Sequence, residues 1–202
     1  VDQDTAHSIK IITRKCSERI IRAAFGYAQK NGRKKVTCVH KANIMKISDG
    51  LFRDIFYEVS KEYPQVQAED KIVDNVAMQL VMQPQKFDVI VTENLYGDIL
   101  SDLTSGLIGG LGLLPSSNMG EDFAMFEAVH GSAPDIAGKG IANPTAFLWS
   151  ACMMLEHLGK QETAVKIRRA VDEVLRQGTA LTPDLGGTAG TKEYTEEIIR
   201  QL

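Results

Sequence analysis

The 202-residue sequence holds no apolar run near the roughly 18 residues that a membrane span needs, which excludes a spanning helix. Its first residues carry neither the apolar core of a signal peptide nor an Arg-rich and Ser-rich transit pattern, so a soluble, intracellular chain is expected. Val1 stands where a start methionine would, which points to processing or to a piece of a longer polypeptide. A basic excess is also missing. The 23 Lys and Arg against 26 Asp and Glu, net charge -3, offer nothing to draw the chain to nucleic acid or to anionic lipid. There is no C-x-x-C pair, and Cys16, Cys38 and Cys152 are odd in number and widely spaced within apolar patterns. They read as small buried hydrophobes in a reducing compartment. No G-x-G-x-x-G occurs, so a Rossmann dinucleotide site is not indicated. Internal repeats and low-complexity tracts are absent.

What is present is an ordinary globular composition, 44% hydrophobic. Ile9 to Ile12 reads as a short strand or lead-in, followed by a helix with Ile20, Ala24, Tyr27 and Ala28 on its apolar stripe, ending near Asn31 and Gly32. Lys35 to His40 reads as a strand with Lys41 at its carboxyl end. Phe52, Ile55, Phe56 and Val59 mark a helix, Val66 to Ala68 a strand, and Val73, Val76, Ala77 and Leu80 a helix closed by Pro84. Phe87 to Val91 is a further buried strand, and helical periodicity restarts at Leu95, Ile99 and Leu103. Strands alternating with helices predict an α/β fold. Between Gly106 and Gly120 the chain becomes glycine-rich and reads as a turn, where a domain change is expected. Phe123 to Val129 reads as a strand. A helix from Pro144 to about His157, with Asn143 as its cap, is apolar on nearly all faces and is expected to be central. Ala164 to Leu175 and Glu193 to Leu202 read as closing helices, with a loop at Pro183 to Gly187 between them.

Four groups of residues could carry chemistry. Asp98 and Asp102, four apart on one helix, share a face and suit a cation, or else simply complement the helix dipole. Asp74 is a surface acid or a third hard oxygen ligand for Mg²⁺ or Mn²⁺. Lys41, with His40 before it and Asn43 two residues after, is a solvated lysine or a proton-transfer group. The loop His130-Gly131-Ser132-Ala133-Pro134-Asp135-Ile136-Ala137-Gly138 is a shaped turn, or a site where Asp135 accepts the hydroxyls of a ribose.

Three segments, His40 to Lys46, Asn94 to Asp102 and His130 to Gly138, in this order and at these intervals, resemble the β-decarboxylating dehydrogenases acting on isocitrate, 3-isopropylmalate and homoisocitrate. The resemblance covers essentially all 202 residues. It implies oxidation of a 2-hydroxy acid by NAD, loss of CO₂, and a divalent metal that steadies the enolate. It assigns Asp98 and Asp102 as metal ligands from one subunit, with Asp74 and the proton-handling Lys41 supplied by a partner. A lysine near cations is pushed towards the neutral form a base requires. The loop His130, Gly131, Ser132, Ala133, Pro134, Asp135 and Ile136 would bind adenosine and Asn143 the adenine, with Asp135-Ile136 matching the NAD users. His40 and Ile44-Met45-Lys46 favour isocitrate, a hydroxy-tricarboxylate, over homoisocitrate and isopropylmalate.

The resemblance further implies residues 1–108 as a small domain with a dimer contact and residues 109–202 as the C-terminal part of a large, NAD-binding domain. The serine, arginines and tyrosine that hold and reprotonate the substrate in the family lie in an N-terminal part with no counterpart in this sequence, so the 202-residue chain is not expected to turn over alone. The alternatives are a homodimer or a hetero-oligomer with shared sites, and an enzyme or a non-catalytic nucleotide-binding subunit. The compartment would be the cytoplasm of a bacterium or the mitochondrial matrix of a eukaryote.

Overall fold

The structure, a computed structural model, describes residues 3–202. It divides into two compact units, one through Leu103 and one from Thr104, the division falling inside a helix. In chain order the elements are α1 (Arg14–Lys30), β1 (Lys35–His40), α2 (Ser48–Ser60), β2 (Gln67–Ile72), α3 (Val73–Met82), β3 (Val89–Thr92), α4 (Asn94–Leu107), β4 (Pro115–Met119), β5 (Ala124–Ala128), α5 (Thr145–His157), α6 (Gln161–Gln177) and α7 (Thr191–Arg200).

The first unit is a parallel sheet in the order β2-β1-β3. β1 is central, and Val36 to His40 are all buried, Val36, Cys38 and Val39 as the apolar groups of a strand covered on both faces and Thr37 and His40 with hydrogen bonds to Glu69 and Asp70. Its side chains alternate between two cores. Val36 and Cys38 join Phe25 of α1 and Phe52, Ile55 and Phe56 of α2 on one face. Val39 joins Val76 and Leu80 of α3 and Leu100 of α4 on the other. The Phe25 and Phe56 rings stack with centroids 5.3 Å apart. α1 opens with the Thr13 hydroxyl accepting the Cys16 N–H, a side-chain N-cap. It ends at Asn31, ahead of Gly32 at φ +64.

The second unit pairs β4 with β5 antiparallel and packs α6 against α7 through Ala170, Val171, Val174, Tyr194 and Ile198. The buried Tyr194 hydroxyl and Thr145 hydroxyl hydrogen-bond at 2.7 Å, so neither polar group is left dry and unpaired.

Several sequence expectations are corrected. Ile9 to Ile12 form no strand, and Ile9 and Ile11 are exposed. The buried stripe of α1 runs through Ser17, Ile21, Phe25 and Ala28; of the expected set Ala28 is buried and Ala24 packs against the core, but Ile20 and Tyr27 are exposed. In α4 the buried apolar residue is Leu100, with Leu103 packed beside it, whereas Leu95 and Ile99 are exposed. Pro115 to Met119 is a strand, not turn, since its partner β5 supplies the ladder that local glycine content cannot foretell. α5 is central to its unit, packing on β4, β5 and α6, but is not covered on all faces: Phe147 is 65% exposed, and its buried residues are Thr145, Ala146, Ser150 and Cys152. It starts one residue later than expected, although Asn143 Oδ1 still accepts the Thr145 N–H at 2.9 Å. Cys38 and Cys152 are buried, with burial pushing both thiols up, but Cys16 is exposed.

Candidate functional site

The site in the first unit follows from sheet topology. The chain steps from β1 to β2 on one side, then crosses back over β1 to reach β3 on the other. Ligands of open parallel sheets bind beyond the carboxyl ends of strands at such a reversal. The register sets His40 beside Ile72 and Val39 beside Thr92, so Lys41, Asp74 and the head of α4 all emerge at one edge.

Lys41 Nζ donates to Asp74 Oδ1 at 2.7 Å. The lysine is one-quarter exposed and the aspartate largely exposed, so the pair faces outward. That hydrogen bond, together with the main-chain N–H groups of Asp74 and Asn75 in the first turn of α3, holds the Asp74 carboxyl below its ordinary value. Asp98 and Asp102 are both exposed, one turn apart on α4.

Among the described residues no three His, Cys, Asp or Glu side chains gather closely enough to hold a metal ion. One chain therefore does not bring Asp74 alongside Asp98 and Asp102. The donor set itself, carboxylates open to solvent, is the chemistry that Mg²⁺ and Mn²⁺ take.

The backbone around Lys41 is pinned from two sides. Its own N–H donates to Asp49 Oδ2 at 2.8 Å, and the next one, of Ala42, donates to His40 Nδ1 at 3.0 Å. With Nδ1 accepting, the hydrogen of His40 sits on Nε2, which donates to Asp70 at 2.8 Å. Tyr57 donates to the other oxygen of Asp70. Burial alone would raise the Asp70 carboxyl, but the bonds from Tyr57 and His40 outweigh it and hold it low. Burial, aided by Asp70, pushes the Tyr57 phenol up to about 12. His40 is 3% exposed, so its ring is an anchor for the Lys41 turn and offers no surface to a substrate.

Asp49 is 1% exposed and forms a second anchor. Its Oδ1 takes Lys10 Nζ at 2.6 Å. Lys10 also donates to Glu93 Oε1 at 3.1 Å and lies over the Tyr96 ring, 4.5 Å from its centroid. Burial opposes both charges, yet the hydrogen bonds within the pair prevail, so Asp49 is lowered and Lys10 raised. Sequence reasoning missed Lys10, Asp49, Asp70 and Glu93. The available signal was one lysine inside the apolar run Ile9 to Ile12 and one acid beside an apolar helix face. A cleft of about 810 Å³ adjoins this cluster, bordered by Lys10, Glu93, Asp98, Ile12, Phe52 and Leu95.

In the second unit, His130, Gly131, Ser132, Ala133, Pro134 and Asp135 are exposed on a loop, with Ile136 partly covered. Ala133 has φ +41, the one non-glycine positive φ among the described residues. His130 Nδ1 donates to the Gly131 carbonyl at 3.0 Å, and Ile136 N–H closes a turn onto Ala133. That turn is made by main-chain groups, and the Asp135 side chain within it is open to solvent. Asn143 is buried and fully engaged: Nδ2 donates to Asp184 at 2.9 Å while Oδ1 caps α5.

Comparison with known proteins supplies the wider frame. The family described as isocitrate/isopropylmalate dehydrogenase matches residues 1–198. A 3-isopropylmalate dehydrogenase of Archaeoglobus fulgidus is 56% identical over 98% of this chain and 61% of its own length. A mitochondrial regulatory subunit of NAD isocitrate dehydrogenase from Dictyostelium discoideum is 57% identical over 98% of this chain and 56% of its own. The crystal structure of isocitrate dehydrogenase from Methylococcus capsulatus superposes with a TM-score of 0.94 at 58% identity, over 96% of this chain and 58% of that one. The chain spans about three fifths of the length of these relatives.

Proposed function

The chain belongs to the isocitrate/isopropylmalate dehydrogenase family, and from that premise we propose that it is part of a metal-dependent, NAD-using, oxidatively decarboxylating dehydrogenase whose substrate is isocitrate. The observation that carries this reading is the Lys41–Asp74 pair, 2.7 Å apart and open to solvent where the sheet reverses. Lys41 takes the proton from the substrate's 2-hydroxyl as hydride leaves the same carbon. Its backbone, fixed by Asp49 and His40, keeps that amine aimed. Asp98 and Asp102 of one chain and Asp74 of another would hold Mg²⁺ or Mn²⁺, in keeping with the lack of a three-ligand group among the described residues of one chain. Bound there, the ion polarises the hydroxyl and carboxylate oxygens of the substrate.

The same sharing accounts for exposed Met78, Val81, Met82, Leu95 and Ile99 on α3 and α4, an apolar surface that a partner would cover. Residues 1–108 form the small, pairing domain and 109–202 part of the NAD-binding domain. The open Asp135 carboxylate accepts the ribose hydroxyls, and the loop from His130 to Ile136 wraps the adenosine. Asn143, its side chain spent on Asp184 and Thr145, meets the adenine through its main chain.

Isocitrate rests on the run His40 to Lys46; with His40 buried, discrimination from isopropylmalate and homoisocitrate comes from residues around it. The test is NADH formation by the complete protein with Mg²⁺, NAD and each of the three acids. Turnover with isocitrate alone, lost in Asp98→Asn, is the expected result. A second reading, a non-catalytic nucleotide-binding subunit, draws on the 57% identity to a relative named as a regulatory subunit. Silence on all three acids with retained NAD binding would establish it. Among the described residues no helix is long and apolar enough to cross a membrane.

A further inference from the structure

The cluster around Lys10 has a symmetry that its role as a structural ion pair does not require. Two carboxylates flank the ammonium, and each gives one oxygen to it and the other to a main-chain N–H, the Ser48 hydroxyl donating in addition to Asp49 Oδ1 at 3.1 Å. Asp49 gives Oδ1 to Lys10 at 2.6 Å and Oδ2 to the Lys41 N–H at 2.8 Å. Glu93 gives Oε1 to Lys10 at 3.1 Å and Oε2 to the Leu95 N–H at 3.1 Å. The first main-chain group opens the turn that carries the lysine. The second lies in the first turn of α4, one turn ahead of Asp98. Tyr96 closes the remaining side with its ring, 4.5 Å from the ammonium, and both carboxylates are shielded, at 1% and 10% exposure.

We propose that Lys10 is a positioning residue that locks the Lys41 turn to the head of the metal-ligand helix, so that the proton-transfer group and the ligands Asp98 and Asp102 move as one body. The proposal rests on the function proposed above. Its physical basis is that the Lys10 ammonium bridges two shielded anions. Without it the shielded Asp49 and Glu93 carboxylates repel across the gap that the ammonium filled, and one of them must turn away or take a proton. A carboxylate that turns away gives up its main-chain N–H, of Lys41 or of Leu95, and one that takes a proton holds that N–H more weakly through a neutral oxygen. Loss of the one ammonium that both carboxylates share therefore removes the link between the Lys41 turn and the head of α4, although the hydrogen bonds of Lys10 go to Asp49 and Glu93 and not to the groups it positions. In an assembly with shared sites the lock joins the lysine given to one site with the ligands given to its neighbour.

The test uses the complete, assembled protein and the variants Lys10→Met, Lys10→Arg and Glu93→Gln. Two quantities are read: kcat and KM with saturating Mg²⁺, and Mn²⁺ affinity from the electron paramagnetic resonance of the free ion, without substrate. Lys10→Met lowers kcat about 10–100-fold and weakens Mn²⁺ about tenfold, with KM for NAD changed less than about twofold. Lys10→Arg, which keeps a cation between the carboxylates, restores both to within about threefold. If Lys10→Met does not fold, Glu93→Gln carries the decision: it keeps an acceptor for Leu95 N–H but removes one charge, and is expected to shift both quantities about threefold.

A fall in thermal stability with kcat and Mn²⁺ affinity within about twofold of the parent overturns the proposal. So does a fall in kcat with unchanged Mn²⁺ affinity, which would reduce Lys10 to a prop for the Lys41 turn. Failure of the function reading is seen separately, in the unaltered protein: if it neither oxidises any of the three acids nor binds Mn²⁺, there is no site for Lys10 to position.

Discussion

The two units hold their candidate residues by opposite means. In the first, Lys41 and the head of α4 are side chains and turns at strand ends, tied back to the shielded acids Asp49 and Glu93 and to the buried His40. In the second, the loop from His130 to Ile136 is exposed, with main-chain turns and a left-handed Ala133 giving it shape, and its anchors lie further on, at Asn143 and Asp184. The difference matches the two proposed tasks. Proton transfer tolerates little misplacement, so its groups need buried anchors. A nucleotide must enter and leave, so its loop needs a shape and an open face.

The largest effect should come from the metal ligands. Asp98→Asn is expected to lower kcat about a thousandfold, the several kcal/mol that a divalent ion contributes, while leaving NAD binding intact. Steady-state rates and an NAD titration check both halves. Loss of NAD binding as well would mean that the two regions are not separable in this way.

Core and surface phenylalanines sharpen the contrast in packing. Phe56→Ala removes a fully buried ring stacked on Phe25 and should cost about 3–5 kcal/mol, read by urea unfolding. Phe147→Ala, at 65% exposure, should stay within about 0.5 kcal/mol.

The Lys10–Asp49 pair predicts a pH dependence. Asp49 is lowered in the fold, so its contribution is present above the ordinary Asp value of 3.8 and disappears as pH falls below that. Lys10 is raised above 10.5, so its contribution is present below that pH and lost as pH rises further. The gap in unfolding free energy between the parent and Lys10→Met should be about 3 kcal/mol at neutral pH and should narrow in acid below pH 3.8. A gap independent of pH would show that the pair is not what is lost.

Asp135→Asn should raise the Kd for NAD about tenfold, as one charge-assisted bond to a ribose is weakened, with no change in Mn²⁺ affinity. The smallest effect belongs to Ala133→Gly. It relieves about 1 kcal/mol of left-handed cost but adds similar freedom to the unfolded chain, so stability should move less than about 0.5 kcal/mol.

Where contacts are local in sequence, the elements could be read directly. β1 carries the β-branched Val36, Thr37 and Val39 among its six residues, and α2 shows Phe52, Ile55, Phe56 and Val59 at helical spacing; both form where expected. Where an element presents two apolar rows, the choice failed. On α1 the sequence offers Ile20 and Tyr27 as readily as Ile21 and Phe25, and on α4 it offers Leu95 and Ile99 as readily as Leu100. Only the position of the sheet decides which row is buried. β4 was invisible for a related reason, since Pro115 to Met119 becomes a strand through pairing with β5.

The sequence by itself determined the α/β order, the family, and the residues proposed to bear the chemistry: Lys41, Asp74, Asp98, Asp102 and the loop from His130 to Ile136. Spacing along a strand or helix is enough to put such groups at an edge or on a face. The tertiary structure alone decided that His40 is an anchor, that Asp49 and Glu93 meet at Lys10, and that Asp74, Asp98 and Asp102 form no three-ligand group within one chain. Those partners lie 39 and 83 residues from Lys10, a separation over which no local pattern carries information and only the packed sheet sets the distance.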